Sequence, residues 1–138
     1  MMTDKRHNSV LIPYRKRGTE FEFYLQKRDV DAKRAPNQIG MFGGGIEEEE
    51  SIEQALFREI QEELVYTPTK PQYFSRYETA RGVVHVFIEE VSGDFEARVE
   101  VKEGQWGKFF TLQEAKAGED VTLLVKLALS HVVDRLKK

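Results

Sequence analysis

One segment, residues 44–66, constrains this chain more than any other and reads GGIEEEESIEQALFREIQEELVY. Within it, Ser51 is followed three residues later by Gln54, which is the spacing of a capping box at the start of a helix. Good helix formers then continue as far as Leu64. The segment therefore predicts a helix over residues 52–64 that directly follows a glycine-rich turn.

The apolar side chains of this predicted helix fall on one broad sector at about 100° per residue, as expected for a helix on a core. They are Ile52, Ala55, Leu56, Ile60 and Leu64. Glu59, Glu62 and Glu63 fall within or beside the same sector. Three carboxylates placed there repel one another and lose hydration unless a cation lies among them. The pattern therefore favours a metal site.

The chemistry of the candidate ligands indicates which metal to expect. Carboxylate oxygens without Cys or His close by favour Mg²⁺ or Mn²⁺ over zinc. Arg58 lies one turn before Glu62 and can pair with a carboxylate and orient it. A Glu-rich surface helix held by pairs four residues apart would show much of the same composition. The helix alone does not decide between these two interpretations.

The exact spacing of eight residues favours the metal site. Gly44, Glu50, Arg58, Glu59, Ile60, Glu62, Glu63 and Tyr66 fit the pattern G-x5-E-x7-R-E-U-x-E-E-x-G-U, where U is bulky and apolar or aromatic. This pattern resembles the signature box of the Nudix hydrolase family. One position departs, because Val65 stands where the family has its late glycine. A β-branched residue is left-handed only at a cost, so we expect a differently built exit from the helix.

The resemblance implies a set of metal ligands and catalytic residues. The metal ligands are the carboxylates of Glu59, Glu62 and Glu63, a backbone carbonyl of Gly43 or Gly44, and Glu103 from the stretch downstream. The catalytic residues are Glu59, Glu62 and Arg58, with Glu59 acting either as ligand or as general base.

The resemblance also implies three substrate-binding residues. Lys27 and Arg28 end a predicted strand ahead of the glycine turn and are expected to steady phosphates. Asp120 falls near the position at which oxidised-guanine-nucleotide hydrolases of the family read the base. A carboxylate there accepts hydrogen bonds without donating them. The alternative is that Asp120 simply starts the last helix.

The function implied by the resemblance is metal-assisted hydrolysis of a diphosphate bond in a nucleoside diphosphate linked to another group. The metal neutralises phosphate charge and lowers the pKa of a bound water. The alternative is a Nudix-like module that binds a nucleotide or a partner protein without hydrolysis, which the departures at Val65 and at GMFGGG would suit. A plain acidic α/β interaction protein is a third interpretation, and it predicts no dependence on divalent metal.

Composition fits a compact enzyme, and the resemblance implies a small-molecule nucleotide or nucleotide-derivative substrate. The 138 residues are 40% hydrophobic, so we expect a single domain over residues 1–138. The net charge of -3 gives no overall attraction to nucleic acid or membranes. The absence of cysteine fits a cytoplasmic location, and no window approaches the length of a membrane span. Relatives often form dimers, so a homodimer is expected as one possibility.

The remaining patterns predict a mixture of strands and helices, and the resemblance implies that they form an α/β/α sandwich with a central mixed β-sheet. The predicted strands cover residues 9–14, 21–28, 72–79, 83–91, 99–103 and 106–111, and the other helices residues 112–117 and 121–136. The resemblance places the box helix on one face of the sheet and the terminal helix on the other. His7, His85 and His131 are too scattered in sequence to predict a metal site. Trp106, Phe109 and Phe110 are predicted to be core residues before base-stacking residues.

Overall fold

The structure is a computed structural model that describes residues 6–138 as a seven-stranded sheet with helices on both faces. The strands are β1 (His7–Arg17), β2 (Glu20–Lys27), β3 (Ile39–Gly40), β4 (Phe42–Gly45), β5 (Gln72–Thr79), β6 (Gly82–Glu90) and β7 (Trp106–Thr111). The helices are α1 (Ile52–Leu64), α2 (Phe95–Arg98), α3 (Leu112–Ala117) and α4 (Leu123–Leu136). In this part of the chain no helix is long and apolar enough to cross a membrane.

Strand β1 organises the sheet, because it is long enough to pair with three other strands. It runs parallel to β6 and antiparallel to both β2 and β4. The main path is β3-β2-β1-β6-β5, and β7 adds to the outer side of β2. The predicted mixed sheet is therefore confirmed. The pairing of Ser9 with Gly44 brings the glycine turn onto the beginning of β1.

Alternation along the strands divides the core into two layers, since successive side chains point to opposite faces of a sheet. Leu11 and Phe87 pack with the apolar face of α1. Val10 and Ile12 belong to the layer that contains α4. The two main helices thus cover opposite faces, as the predicted sandwich requires. Leu127 of α4 is 49% exposed and lies outside this layer.

The segment predicted as a strand over residues 99–103 is not a strand. Its backbone N–H groups instead cap the end of α1, where the last carbonyls of a helix lack partners. The N–H of Glu100 donates to the carbonyl of Leu64 at 2.9 Å, and the N–H of Lys102 donates to the carbonyl of Glu63 at 2.7 Å. This arrangement fixes the chain that carries Glu103 against the end of α1.

Several further boundaries differ from the predicted ones, since β1 covers residues 7–17, β2 residues 20–27 and β6 residues 82–90. The short helix α2 was not predicted, and its Phe95 is fully buried in the layer of α1. Helix α4 begins at Leu123 because the Thr122 hydroxyl accepts from the N–H of Val125 at 3.3 Å. Val121 remains outside the helix and forms an isolated parallel bridge with Ile39.

The exit from α1 corrects the expectation for Val65. Val65 adopts the left-handed conformation, with φ 51 and ψ 46, and its N–H donates to the carbonyl of Gln61 at 3.0 Å. The exit turn is therefore built in the left-handed form in spite of the β-branched side chain. Leu64 and Tyr66 are both buried on either side of it, so core packing holds the turn against the cost of this backbone conformation.

Candidate active site

Helix α1 is positioned by contacts at its first turn. The Ser51 hydroxyl accepts from the N–H of Gln54 at 3.0 Å, and the Gln54 side chain accepts from the N–H of Ser51 at 2.8 Å. This completes the predicted capping box. The Ser9 hydroxyl of β1 also donates to the carbonyl of Ile52 at 2.8 Å. The helix is thereby tied to the strand that pairs with the glycine turn.

Two glycines let α1 approach β4 closely. A Cβ atom built on Gly44 would lie 2.5 Å from Oε1 of Glu59, and one on Gly43 would lie 2.1 Å from the carbonyl oxygen of Ser9. Gly43 also has φ +141, a conformation that side chains rarely adopt. The local sequence thus requires glycine at both positions. The consequence is that the Glu59 carboxylate lies directly against the backbone of β4.

Glu63 is the buried carboxylate of the site, with 2% of its surface exposed. The N–H of Gly43 donates to its Oε1 at 3.0 Å. Burial raises the pKa of Glu63 strongly, a hydrogen bond with Glu59 and the charge of Glu103 raise it further, and the bond from Gly43 opposes them. Three carboxyl groups therefore lie near one another, and the charged form of Glu63 is disfavoured among them.

Arg58 forms hydrogen bonds with two of the acidic residues of the box, Glu50 and Glu59. Its Nε lies 2.6 Å from Oε2 of Glu50 and its Nη2 lies 2.9 Å from Oε1, which makes a bidentate pair. It also donates to Oε2 of Glu59 at 2.9 Å and to the carbonyl of Gly45 at 2.9 Å. This bonding raises the pKa of Arg58 and lowers the pKa of Glu50 to about 2. Arg58 thus orients Glu59 while its own position is fixed by Glu50 and Gly45.

Glu62 lies apart from the other box carboxylates. Its side chain is 60% exposed, and its nearest charged partner is Arg58 at 3.4 Å. It is not one of the residues that line the cleft beside Glu59 and Glu63. In this arrangement, Glu59 and Glu63 face the cleft and Glu62 faces solvent.

The cleft has a volume of about 360 Å³. It is lined by Arg6, Asn8, Arg28, Arg34, Ala35, Gly43, Gly44, Gly45, Glu59, Glu63 and Glu103. The structure thus brings the predicted Gly43, Gly44, Glu59, Glu63, Glu103 and Arg28 together. Arg6, Asn8 and Arg34 were not predicted, because no motif marks them and only the sheet pairing and the loop after β2 carry them here.

Lys27 and Asp120 lie beside the cleft and bond to each other. Their side chains meet at 2.8 Å, and this contact is the main cause of the lowered pKa of Asp120. Neither residue lines the cleft. Asp120 does not cap α4, since that role belongs to Thr122. The positive charge of Lys27 is therefore already compensated, whereas Arg28 next to it reaches the cleft.

The histidines are partly closer together than their sequence positions suggest. Nδ1 of His7 lies 2.9 Å from Nε2 of His85, although 78 residues separate the two in the sequence. His131 stacks on Tyr77 elsewhere. Within residues 6–138, no group of three or more His, Asp or Glu residues is arranged to hold a metal ion by itself. Phe109 and Phe110 are buried core residues as predicted, while Trp106 stacks on Phe110 from the surface.

The donor set nevertheless fits a hard divalent cation. Glu59, Glu63 and Glu103 supply only oxygen atoms, and the close approach of β4 leaves backbone oxygens of Gly43 and Gly44 nearby. Burial, the hydrogen bond with Glu59 and the charge of Glu103 raise the pKa of Glu63, so a cation among these groups would favour its charged form. A divalent ion between these groups could draw its remaining ligands from water and phosphate.

Comparisons with known proteins agree with this geometry. The family model described as NUDIX domain matches residues 5–127. The NUDIX domain of Shewanella oneidensis NrtR, solved with ADP ribose, is similar with a TM-score of 0.77 and 16% identity over 98% of this chain and 90% of that one. The MutT protein of Methanosarcina mazei Go1 is similar with a TM-score of 0.75 and 17% identity, over 100% of this chain and 99% of that one.

A third similar structure is a binary complex of the Ap4A hydrolase of C. elegans. Its TM-score is 0.74 and its identity is 22%, over 96% of this chain and 98% of that one. At these identities the three structures show a shared fold. No curated protein matches the chain.

Proposed function

This chain belongs to the NUDIX family, and from that premise we propose that it is a pyrophosphohydrolase that cleaves a diphosphate bond in a nucleoside diphosphate linked to another group. The observation that carries the proposal is the placement of Glu59 and Glu63 in one cleft with Gly43 and Gly44. Hydrolysis joins a water oxygen to phosphorus, breaks the bridging P–O bond and leaves two phosphorylated products. A base has to accept one proton of the attacking water during this reaction.

The chain's own residues divide this work. Glu59 is placed to accept the proton, because Arg58 orients its carboxylate at 2.9 Å and Gly44 leaves room for it. Glu63 and Glu103, with the backbone of β4, would hold the metal. Arg28 lines the same cleft and is placed to bind the phosphates. Pre-arranged charges of this kind are the main source of catalysis in phosphoryl chemistry.

A bound divalent cation, Mg²⁺ or Mn²⁺, supplies charge neutralisation at the phosphates and makes water more acidic. The oxygen-only donor set supports either ion over zinc. Glu62 remains a proposed ligand, and its exposed position requires a change of side-chain conformation to reach the cleft. It is the proposed ligand that this arrangement supports least.

The exposure of Glu62 favours one second candidate, a NUDIX domain that binds a nucleotide derivative without turnover. Two of the similar structures have names that mention ADP ribose and Ap4A, and both of these are small nucleotide derivatives. A small-molecule nucleotide is therefore the proposed ligand under either function. The two functions differ only in whether the bound molecule is cleaved.

The experiment that separates them measures phosphate or pyrophosphate release from nucleoside triphosphates, nucleotide sugars and dinucleoside polyphosphates. Each substrate is tested with Mg²⁺, with Mn²⁺ and with EDTA, for the native chain and for Glu62→Gln. Metal-dependent release that is lost in Glu62→Gln supports the hydrolase with Glu62 as a ligand. Full activity of Glu62→Gln at saturating Mg²⁺ removes Glu62 from the ligand set. No release from any substrate, with thermal stabilisation by one of them, supports the binding domain.

A further inference from the structure

Four arginines converge beside the carboxylate cleft from three separate parts of the chain. Arg6 precedes β1, Arg28 and Arg34 belong to the loop between β2 and β3, and Arg81 lies in the turn before β6. The carbonyl of Arg6 accepts from the N–H of Val83 at 2.7 Å, which brings the Arg81 turn next to Arg6. The Nε of Arg28 donates to the carbonyl of Arg34 at 2.8 Å, which ties the loop together.

These guanidinium groups lie near one another, and the pKa of one of them responds to the charges of the other three. The pKa of Arg34 is lowered by burial first and then by the charges of Arg6, Arg81 and Arg28. Among the described residues 6–138, none of the four forms an ion pair with a carboxylate. Clustered like charges cost free energy unless an anion lies between them. The cluster is therefore suited to a ligand with several negative charges.

The arginines line two adjacent clefts that share Asn8 and Arg34. The first is the carboxylate cleft, which also contains Arg6 and Arg28. The second has a volume of about 250 Å³ and contains Arg81. Among the described residues 6–138, the buried Oδ1 atom of Asn8 at the boundary between the two clefts has no hydrogen-bond partner. An amide oxygen only accepts hydrogen bonds, so it does not contact phosphate directly, and the arginines alone carry the site.

We propose that Arg34 and Arg81 bind a phosphate group that lies beyond the diphosphate at the carboxylates, so that the substrate carries at least three phosphates in a row. The inference rests on the proposed function, whose substrate class it narrows. Arg28 would serve any diphosphate, because it lines only the carboxylate cleft. Arg81 lines only the second cleft, so it would serve only the longer chain. Arginine suits this role because its planar group binds phosphate through two hydrogen bonds.

The test measures binding of inorganic tripolyphosphate and of pyrophosphate by isothermal titration calorimetry with saturating Ca²⁺, which supplies the divalent charge at the carboxylates in place of Mg²⁺. The variants are Arg81→Gln and Arg34→Gln, with thermal unfolding to confirm that each folds. Arg17→Gln at the far end of β1 is the control, because its side chain is exposed. We expect Arg81→Gln to weaken tripolyphosphate binding about tenfold, the loss of one charge-assisted contact. Pyrophosphate binding by Arg81→Gln should change by less than about threefold. Binding of either anion by the Arg17→Gln control should also change by less than about threefold.

The inference is overturned if the native chain binds the two anions equally, or if Arg81→Gln weakens both alike or neither. These results are separable from the fate of the proposed function. Metal-dependent hydrolysis without the Arg81 effect would overturn the phosphate site alone. Arg81-dependent binding of tripolyphosphate in a protein that hydrolyses nothing would overturn the proposed hydrolysis and retain the phosphate site. If Arg81→Gln fails to fold, the Arg34→Gln variant tests the inference instead. It should weaken tripolyphosphate binding more than pyrophosphate binding, and equal weakening of both would overturn the inference.

Discussion

The carboxylate of Glu59 fills the space that a side chain at Gly44 would occupy, since a Cβ built there would lie 2.5 Å from its Oε1. The glycine and the acid lie 15 residues apart in sequence and on different elements, a strand and a helix. Their contact explains why a glycine turn precedes a helix with this pattern of carboxylates. It also connects the backbone of β4 to the proposed chemistry.

Substitution of Gly44 by alanine should therefore impair turnover with little loss of fold. The new methyl group has to displace Glu59 from the cleft, and misplacement of a catalytic group by about 1 Å can cost about 100-fold in rate. The measurement is kcat with saturating Mg²⁺, beside thermal unfolding. Gly93→Ala is the matched control, because a Cβ there meets nothing within 4 Å. Equal kcat values for the two variants would show that the contact has no catalytic role.

The ion pair between Arg58 and Glu50 should make the free energy of unfolding depend on pH in the acidic range. A hydrogen bond from Arg58 is the largest cause that lowers the pKa of Glu50 to about 2, below its ordinary value of 4.5. A group with a depressed pKa contributes stability above its unfolded value and loses it as the pH falls towards the folded value. The free energy of unfolding of the native chain should therefore exceed that of Glu50→Gln at about pH 6, and the gap should close between about pH 4.5 and 2.

Urea unfolding at several pH values checks this prediction. Glu48→Gln is the control, since Glu48 is an exposed residue of the same acidic run. The control should keep the pH dependence of the native chain. A gap between the native chain and Glu50→Gln that stays constant down to pH 2 would contradict the assigned pair.

Val65→Gly should stabilise the chain. Val65 is left-handed and 43% exposed, so glycine removes backbone strain and gives up little buried surface. The left-handed conformation costs a residue with a Cβ about 1–2 kcal/mol, and the greater freedom of unfolded glycine offsets part of the gain. We expect the free energy of unfolding to rise by up to about 1 kcal/mol. Val30→Gly, at an exposed position outside the positive-φ residues, should show no gain in the same urea titration.

Local signals in the sequence predicted some elements fully. Helix α1 has the predicted bounds because its start is specified by Ser51 and Gln54, three residues apart. Strands β5 and β7 and helix α3 also match the predicted bounds. The prediction of a strand over residues 99–103 was wrong because N–H groups of this segment bond to α1, about 36 residues earlier in the sequence. Strand propensity carries no information about such a distant partner.

The same limit applies to the site. The box predicted which acids and glycines meet, because their spacing on one helix and one turn encodes their positions. The contact between His7 and His85 depends on parallel pairing of β1 and β6, which the local pattern does not specify. The convergence of Arg34 and Arg81 likewise depends on where two loops meet. The exposure of Glu62 depends on which side of α1 the cleft occupies.

The most direct test of the central claim is the Mg²⁺-dependent turnover of Glu63→Gln. Glutamine keeps an oxygen for the N–H of Gly43 at this buried position but removes the charge that would bind metal. We expect turnover to fall at least about 100-fold while the thermal midpoint in EDTA is retained, since burial already disfavours the charged form of this carboxyl in the absence of metal. Glu53→Gln, on the exposed side of the same helix, should keep native turnover. Full metal-dependent turnover by Glu63→Gln would contradict the proposed active site.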